Sequence, residues 1–264
     1  MLGRFFRKRV VEPLGEPLPA SWRDLIGHEI PLCARLPVAS KSALEPLVKR
    51  FLAEKSFEGC GGLELTETIK LTIAAQASVL LLARETKVFP LLRTILVYPN
   101  AYLTKVATPI KGGGWLEGED IFLGEAPIPE VVILSWNHIR SGNSYTRSGR
   151  NLVLHEFAHQ LDREDGSMNG APLLESPRRY REWARVMTPE FERLERSAEL
   201  GRHTVIDDYG ATNPAEFFAV VTETFFERPH TLRRHHPALY RQLATFYRQD
   251  PATWSATPEP DHVA

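Results

Sequence analysis

Hydrophobic residues recur at helical spacing in several stretches of the chain, which predicts a mostly helical fold. The clearest stretches cover residues 40–54, 66–84, 178–200 and 239–247, and another begins at Asn213-Pro214 and stops before Pro229. The stretch at 178–200 is rich in charged residues and contains Thr188-Pro189, so it predicts either one long helix or two helices.

Short β-branched and aromatic runs between these stretches predict a few strands. The candidate strands are residues 94–99, 118–123 and 131–136. Residues 131–136 are almost continuously apolar, which is typical of a strand covered on both faces. Glycine-rich segments at residues 59–62 and 111–114 predict loops or turns. Together these patterns predict an α+β fold that is mostly helical, with a small mixed sheet.

Composition and charge argue against several classes of function. The 264 residues carry a net charge of −1, which predicts no direct binding to nucleic acid and no general attraction to anionic membranes. No apolar run is long enough to span a bilayer, and the basic N-terminus lacks the apolar stretch of an export signal. Cys33 and Cys60 provide no disulfide framework, which favours a reducing compartment.

The most informative polar pattern is His155-Glu156-Phe-Ala-His159, which lies within an apolar helical stretch. Residues four apart project from the same face of a helix, so both imidazoles can bind one metal ion. Glu156 lies between them and can take a proton from a water molecule that the metal activates. Asp162, three residues beyond His159, is expected to fix a ligand by a hydrogen bond, to fix the end of the helix, or to lie on the surface. The pattern predicts a zinc site that carries out hydrolysis.

Two histidines leave a catalytic zinc ion one protein ligand short. The extension that would supply a glycine and a third histidine is absent, because Asp162 and Asp165 stand at those positions. A downstream carboxylate is therefore expected. Glu216 is the leading candidate, and Glu223, about two helical turns further on the same face, is the alternative. Asn213 and Glu216 also fit a capping box, an arrangement that needs no metal.

Two segments together resemble the Mlc titration factor A family of zinc peptidases. The segments are His155-Glu-Phe-Ala-His-Gln-Leu-Asp162 and Tyr209-Gly-Ala-Thr-Asn-Pro-Ala-Glu-Phe-Phe-Ala219, and the similarity spans most of residues 20–250. The resemblance implies a zincin-like peptidase of the gluzincin type, similar to the catalytic domain of anthrax lethal factor. It implies one zinc ion per chain, bound by His155, His159 and Glu216, with Glu156 as general base and Tyr209 as hydrogen-bond donor to the developing oxyanion.

These features predict a zinc-dependent peptidase that acts on a peptide or protein, as either an aminopeptidase or an endopeptidase. The resemblance also implies a cytoplasmic bacterial protein with a link to the regulation of sugar uptake or transcription. The alternative is a regulatory protein that sequesters a transcriptional repressor similar to Mlc, with a structural or modulatory zinc site. Three protein ligands leave one position open for water, which favours catalysis.

The same reasoning predicts how the chain is divided. Residues 1–20 contain Pro13, Pro17 and Pro19 and are expected to form a flexible lead-in. Residues 21–250 are expected to form a single peptidase domain, with a helical N-terminal part at 21–110 and a catalytic part at 111–250. Residues 251–264 lack a regular apolar pattern and are expected to form a disordered tail.

Overall fold

The computed structural model describes residues 17–84, 87–100, 102–109, 115–122, 130–144 and 149–254. Most of these residues are helical, as the hydrophobic pattern predicts. The α-helices are α1 Ala20–Asp24, α2 Pro31–Ala34, α3 Val38–Glu54, α4 Glu67–Val79, α5 Trp136–Ser144, α6 Leu152–Asp162, α7 Pro177–Glu199, α8 Pro214–Glu227, α9 Pro229–His235 and α10 Pro237–Tyr247. A π-helical turn lies at Leu25–Glu29, and 3-10 turns lie at Arg163–Asp165, Asp208–Ala211 and Pro251–Thr253.

The strands form two separate sheets within the described residues. They are β1 Ser56–Gly59, β2 Thr94–Tyr98, β3 Tyr102–Pro109, β4 Trp115–Phe122 and β5 Val131–Ser135. The first sheet is parallel, with β2 between β1 and β5. The second is the antiparallel pair β3 and β4. The prediction of one mixed sheet is therefore wrong, because the chain leaves the parallel sheet after β2, forms the hairpin and returns as β5.

Elements that are short or exposed escaped the prediction from hydrophobic spacing. Strand β1 has four residues and is mostly exposed, so it shows no apolar alternation. The predicted strand at 131–136 ends at Ser135, and Trp136 begins α5, a helix that was not predicted. Helix α4 ends at Val79 and not at residue 84. The choice left open for 178–200 is settled, because α7 runs as one helix with Pro189 inside it.

Side-chain caps fix where the helices of the site begin. Asn151 accepts a hydrogen bond from the backbone N–H of Leu154 at 3.1 Å, and this bond caps α6. Asn213 accepts one from the N–H of Glu216 at 3.0 Å, and Pro214 occupies the first position of α8. Such caps satisfy N–H groups that have no partner inside the helix and typically stabilise it by about 1 kcal/mol.

Aromatic packing holds α6 against the N-terminal helices. The ring of Phe157 lies 5.5 Å from that of Phe51 on α3 and 4.8 Å from that of Phe89. All three rings are fully buried, and burial of such a side chain contributes roughly 1.5–3 kcal/mol. Phe157 follows His155 by two residues and therefore points to nearly the opposite side of α6. Because Phe157 packs against the core, His155 projects from the other side of α6, towards α8.

Both predicted ends of the domain need correction. Leu18 is only 2% exposed and belongs to the core, so the predicted lead-in is packed from at least this residue. At the other end, Pro251–Thr253 form a 3-10 turn and Trp254 is buried, because its ring packs on Phe226. Residues 1–16 and 255–264 lie outside the described residues. No helix in the described ranges is long and apolar enough to cross a membrane.

Candidate metal centre

Helix α6 presents its two motif histidines side by side. The Nε2 atoms of His155 and His159 lie 3.2 Å apart, as expected for residues four apart on one helical face. Both side chains are almost completely buried. At this distance the two nitrogens cannot both carry a proton that points at the other ring. A cation between them would accept a lone pair from each nitrogen.

Helix α8 brings Glu216 to the same point. Its carboxylate oxygens lie 3.0 Å from Nε2 of His155 and 3.4 Å from Nε2 of His159. Asn213 caps the helix as the capping-box alternative requires, but the Glu216 carboxylate faces the histidines. The cap therefore orients α8, and it leaves the Glu216 side chain available as a ligand.

The spacing of these three groups fits a small divalent cation. Nitrogen and oxygen ligands lie about 2.0–2.2 Å from such an ion, so tetrahedral ligand atoms are roughly 3.3–3.5 Å apart. The observed separations are close to this value: 3.2 Å between the two Nε2 atoms, 3.0 Å from Nε2 of His155 to Oε2 of Glu216, and 3.4 Å from Nε2 of His159 to Oε1 of Glu216. Oε2 of Glu216 is close enough to His155 for an ion pair but lacks hydrogen-bond geometry, and it has no other donor among the described residues. A buried acceptor without a donor is costly, and a cation would satisfy it.

Glu223, the alternative ligand, lies on the far side of His155. Its Oε1 atom is 2.8 Å from Nδ1 of His155, whereas Nε2 of the same ring faces Glu216. A carboxylate can only accept, so Nδ1 donates to Glu223, and Nε2 is the ring nitrogen that faces a metal ion bound beside Glu216. Glu223 is outside the group of three converging ligands and supports His155 from behind.

The charges of the cluster shift the pKa values of its members in opposite directions. Burial alone would lower the pKa of His155, but the carboxylates of Glu216 and Glu223 beside its two ring nitrogens raise it well above its usual value. Burial alone would raise the pKa of Glu216, but the adjacent imidazoles of His155 and His159 lower it to about 2. Glu216 is therefore an anion at neutral pH, which is the protonation state that binds a metal ion.

The structure places the two predicted catalytic side chains close to this cluster. Glu156 is buried, and its charge contributes to the raised pKa of His155. The ring of Tyr209 lies 6.0 Å from that of His155, between ring centres, and is 54% exposed. Asp207 accepts a hydrogen bond from the N–H of Tyr209 at 3.1 Å and pairs with Arg150 at 2.6 Å. Arg150 precedes the cap of α6, so this ion pair links the Tyr209 turn to that helix.

Asp162 connects the end of α6 to the loop before α7. Its Oδ2 atom accepts a hydrogen bond from the N–H of Gly170 at 2.8 Å, and the carbonyl of Gly170 accepts one from the Trp183 indole at 2.9 Å. Burial raises the pKa of Asp162 to about 6. Gly170 has φ +76°, and a Cβ atom there would lie 2.2 Å from the carbonyl oxygen of Pro214. These contacts favour the helix-end role of Asp162, one of the alternatives that the sequence left open.

The sequence did not predict the buried polar groups on the side of His155 that faces away from Glu216. Asn151 donates from its side-chain amide to Gln76 at 2.6 Å and to Glu227 at 2.8 Å, and Glu227 pairs with Arg35 at 2.9 Å. The position of Asn151, just before the motif helix, signals a cap but not these contacts. Gln76 and Arg35 lie far away in sequence, so no local pattern connects them to His155.

Comparison with known proteins agrees with this geometry. A family model described as glucose-regulated metallo-peptidase M90 matches residues 4–248. The chain belongs to this family. It is 40% identical over 236 residues to an uncharacterized protein, slr2042, of Synechocystis sp., covering 89% of this chain and 86% of that protein. It is 30% identical over 243 residues to Mlc titration factor A of Yersinia pestis and of Yersinia pseudotuberculosis, covering 91% of this chain and 88% of each relative.

Membership of the M90 family confirms the resemblance predicted from the two motifs. It also supports a metallopeptidase and therefore a bound metal ion. The residues of this chain that fit such an ion are His155, His159 and Glu216, which converge within 4.8 Å of one another.

Proposed function

We propose that the chain is a zinc-dependent peptidase that binds one zinc ion through His155, His159 and Glu216. The observation that carries the proposal is the convergence of these three side chains, whose Nε2 atoms and carboxylate oxygens lie at separations close to those of ligand atoms in a tetrahedral site. Two imidazoles and one carboxylate suit zinc better than they suit magnesium or calcium, which prefer oxygen ligands. Three protein ligands leave one position open, as in catalytic zinc sites.

The proposed mechanism assigns proton transfer to Glu156 and oxyanion binding to Tyr209. When bound, the zinc ion polarises the peptide carbonyl and lowers the pKa of a water molecule. Glu156 takes the proton of the attacking water and then passes it to the leaving amine. The hydroxyl of Tyr209 donates a hydrogen bond to the developing oxyanion. These roles suit the positions of both side chains. Glu156 is buried beside the proposed ligands, and Tyr209 is partly exposed, where a substrate can contact it.

A gluzincin-type site of this kind serves either an aminopeptidase or an endopeptidase. The two are separated by a pair of otherwise identical peptides, one with a free and one with an acetylated N-terminus. An aminopeptidase cleaves only the free peptide, and an endopeptidase cleaves both. A library of such pairs also reports the side chains preferred on each side of the cleaved bond.

Metal analysis combined with a cleavage assay tests the proposal. We expect about one zinc ion per chain in the wild type and in Glu156→Gln, with cleavage by Glu156→Gln reduced by orders of magnitude. Glu192→Gln, a change of the same chemistry on the exposed part of α7, serves as the control and keeps full activity. Normal turnover by pure Glu156→Gln would exclude Glu156 as the base, and wild-type protein without zinc would exclude the metal assignment.

A second candidate function is the binding of a transcriptional repressor in the cytoplasm. The observation that favours it is the name of the Yersinia relatives, which describes them as titration factors of Mlc. Purified Glu156→Gln mixed with a purified repressor of the Mlc type tests this function without cleavage. A stoichiometric complex in size-exclusion chromatography supports it, and two separate peaks at micromolar concentrations exclude it for that repressor.

A further inference from the structure

A buried chain of polar contacts leads from His155 to Arg35 in the N-terminal helices. Nδ1 of His155 donates to Glu223 at 2.8 Å, and the other carboxylate oxygen of Glu223 accepts a hydrogen bond from the backbone N–H of Asn151. The side chain of Asn151 donates to Glu227 at 2.8 Å. Glu227 in turn accepts a hydrogen bond from Nη2 of Arg35 at 2.9 Å.

Asn151 lies at the centre of this series of polar contacts, and hydrogen bonds fix the orientation of its side chain. Both N–H groups of its amide are used, one towards Gln76 at 2.6 Å and one towards Glu227. Its amide oxygen accepts the N–H of Leu154 at the start of α6. A displacement of Glu227 therefore affects Asn151, which also contacts Glu223 through its backbone.

Two buried carboxylates meet at this point. Glu223 and Glu227 are four residues apart on α8, and both are more than nine-tenths buried. Burial, together with the nearby charge of Glu223, raises the pKa of Glu227, while Arg35 and Asn151 act in the opposite direction. Like charges four apart on a helix repel each other, and burial strengthens the repulsion. A cation beside the pair offsets it.

Arg35 supplies that cation, and α8 holds it in place. Its Nη2 atom donates to the carbonyl of Phe226 at 2.9 Å as well as to the Glu227 carboxylate. Nη1 of the same guanidinium lies 3.4 Å from the carbonyl of Glu227. Arg35 caps α2, so these contacts fasten α2 to the C-terminal end of α8.

We infer that Arg35 is a positioning residue for the metal centre, acting through Glu227, Asn151 and Glu223 to hold His155. The inference rests on the proposed function, because it assigns a purpose to the orientation of a metal ligand. Groups behind a ligating histidine fix its tautomer and ring orientation, and their loss weakens metal binding roughly 10- to 100-fold. Arg35 lies further out than Glu223, so we expect the lower end of that range.

Zinc dissociation constants of four variants test the inference. We expect Arg35→Met to raise the constant about 10-fold, since it removes the cation that compensates Glu227. Arg35→Lys keeps the charge and should stay within about 3-fold of the wild type. Arg35→Met combined with Glu227→Gln should regain most of the lost affinity, because the uncompensated charge is gone. Arg50→Met, which breaks an exposed ion pair on α3, is the matched control and should change nothing.

A measurement without metal keeps the inference separate from the proposed function. In the metal-free protein, nitrogen-15 NMR of the histidine rings should show a slowly exchanging Nδ1–H on His155. The signal should weaken in Arg35→Met, persist in Arg50→Met and return in the double variant. If the wild type binds no zinc, the proposed function fails and this signal still decides the role of Arg35.

Two results would overturn the inference. The first is an Arg35→Met protein that unfolds more easily but keeps the wild-type zinc affinity and Nδ1–H signal, which would make Arg35 only a tie between α2 and α8. The second is a double variant that binds zinc as weakly as Arg35→Met alone, which would exclude charge compensation. Thermal unfolding of each metal-free variant shows how much of every change reflects folding.

Discussion

The ring of His155 is held between two carboxylates, with Nδ1 2.8 Å from Glu223 and Nε2 3.0 Å from Glu216. The two acids sit seven residues apart on one face of α8, and each contacts a different nitrogen. This arrangement explains why sequence spacing alone did not decide which acid is the ligand. Glu216 also lies within ion-pair distance of His159, whereas Glu223 is not part of the converging group.

Exchange of each acid for alanine should separate their roles. We expect Glu216→Ala to lose stoichiometric zinc, because it removes one of three protein ligands. Glu223→Ala should keep the site but weaken zinc binding about 10- to 100-fold, because it removes only the support behind His155. Zinc content after dialysis against a graded chelator measures both effects. The reverse pattern, with zinc retained in Glu216→Ala and lost in Glu223→Ala, would make Glu223 the ligand.

Tyr209→Phe should lower the turnover number without loss of zinc. Removal of one donor to an oxyanion typically reduces kcat about 10²- to 10³-fold. The ring of Tyr209 is largely exposed, so stability should change by less than about 0.5 kcal/mol. Steady-state kinetics and thermal unfolding of the same preparation test both statements. A changed KM with an unchanged kcat would mean that Tyr209 binds substrate and takes no part in the chemistry.

The metal-free protein should owe part of its stability to the His155 and Glu216 pair over a limited range of pH. The folded pKa of His155 is raised, so its contribution is complete below about 6.5 and is lost as pH rises through the folded value. The folded pKa of Glu216 is lowered to about 2, so its contribution is complete above 4.5 and is lost as pH falls towards 2. The pair therefore stabilises the fold most between about pH 4.5 and 6.5.

Urea unfolding at a series of pH values measures this effect, and Glu216→Gln should flatten the profile. Zinc must displace the proton that His155 carries, so its binding near pH 6 should release about one proton. Titration calorimetry in two buffers of different ionisation enthalpy counts that proton. Uptake of protons on zinc binding would contradict the assignment of His155 as a ligand.

Gly170→Ala should weaken zinc binding although Gly170 is not a ligand, because the change displaces the start of α8. The added Cβ would lie 2.2 Å from the carbonyl of Pro214, at the start of the helix that carries Glu216. The left-handed backbone alone costs roughly 1–3 kcal/mol, and the clash with Pro214 adds to it. Gly166→Ala is the matched control, because it has φ +92° and open space around the new atom. We expect both to lower the unfolding temperature and only Gly170→Ala to reduce zinc affinity.

The sequence predicted the parts of the site that depend on local geometry. Spacing of four residues on a helix was enough to bring His155 and His159 together, and the Asn-Pro start of α8 located the helix of Glu216. The contacts of Glu223 required the packing angle between α6 and α8, which no local pattern contains. The contacts of Arg35 and Gln76 depend on tertiary packing over even longer separations, and their residue types are common on ordinary surfaces.

The fold was predictable to a similar degree. Long amphipathic helices and the apolar strand β5 follow from periodicity, because one face of each is buried. Strand β1 did not follow, because its four mostly exposed residues pair with β2 through backbone groups and bury little. The sheet arrangement also escaped prediction, since strand order depends on how the chain crosses over between strands and not on the strands themselves.

The parallel sheet has a consequence for how the chain can be divided. Strands β1 and β2 come from the first 110 residues and β5 from the remainder, so any cut between them splits a single hydrogen-bonded unit. A fragment that begins at residue 111 keeps the complete motif of His155 and Glu216, yet it removes β2, the strand to which β5 is hydrogen-bonded, and leaves both edges of β5 unpaired. Such a fragment should aggregate when produced alone. The two halves should be recovered in soluble form only when they are synthesised together.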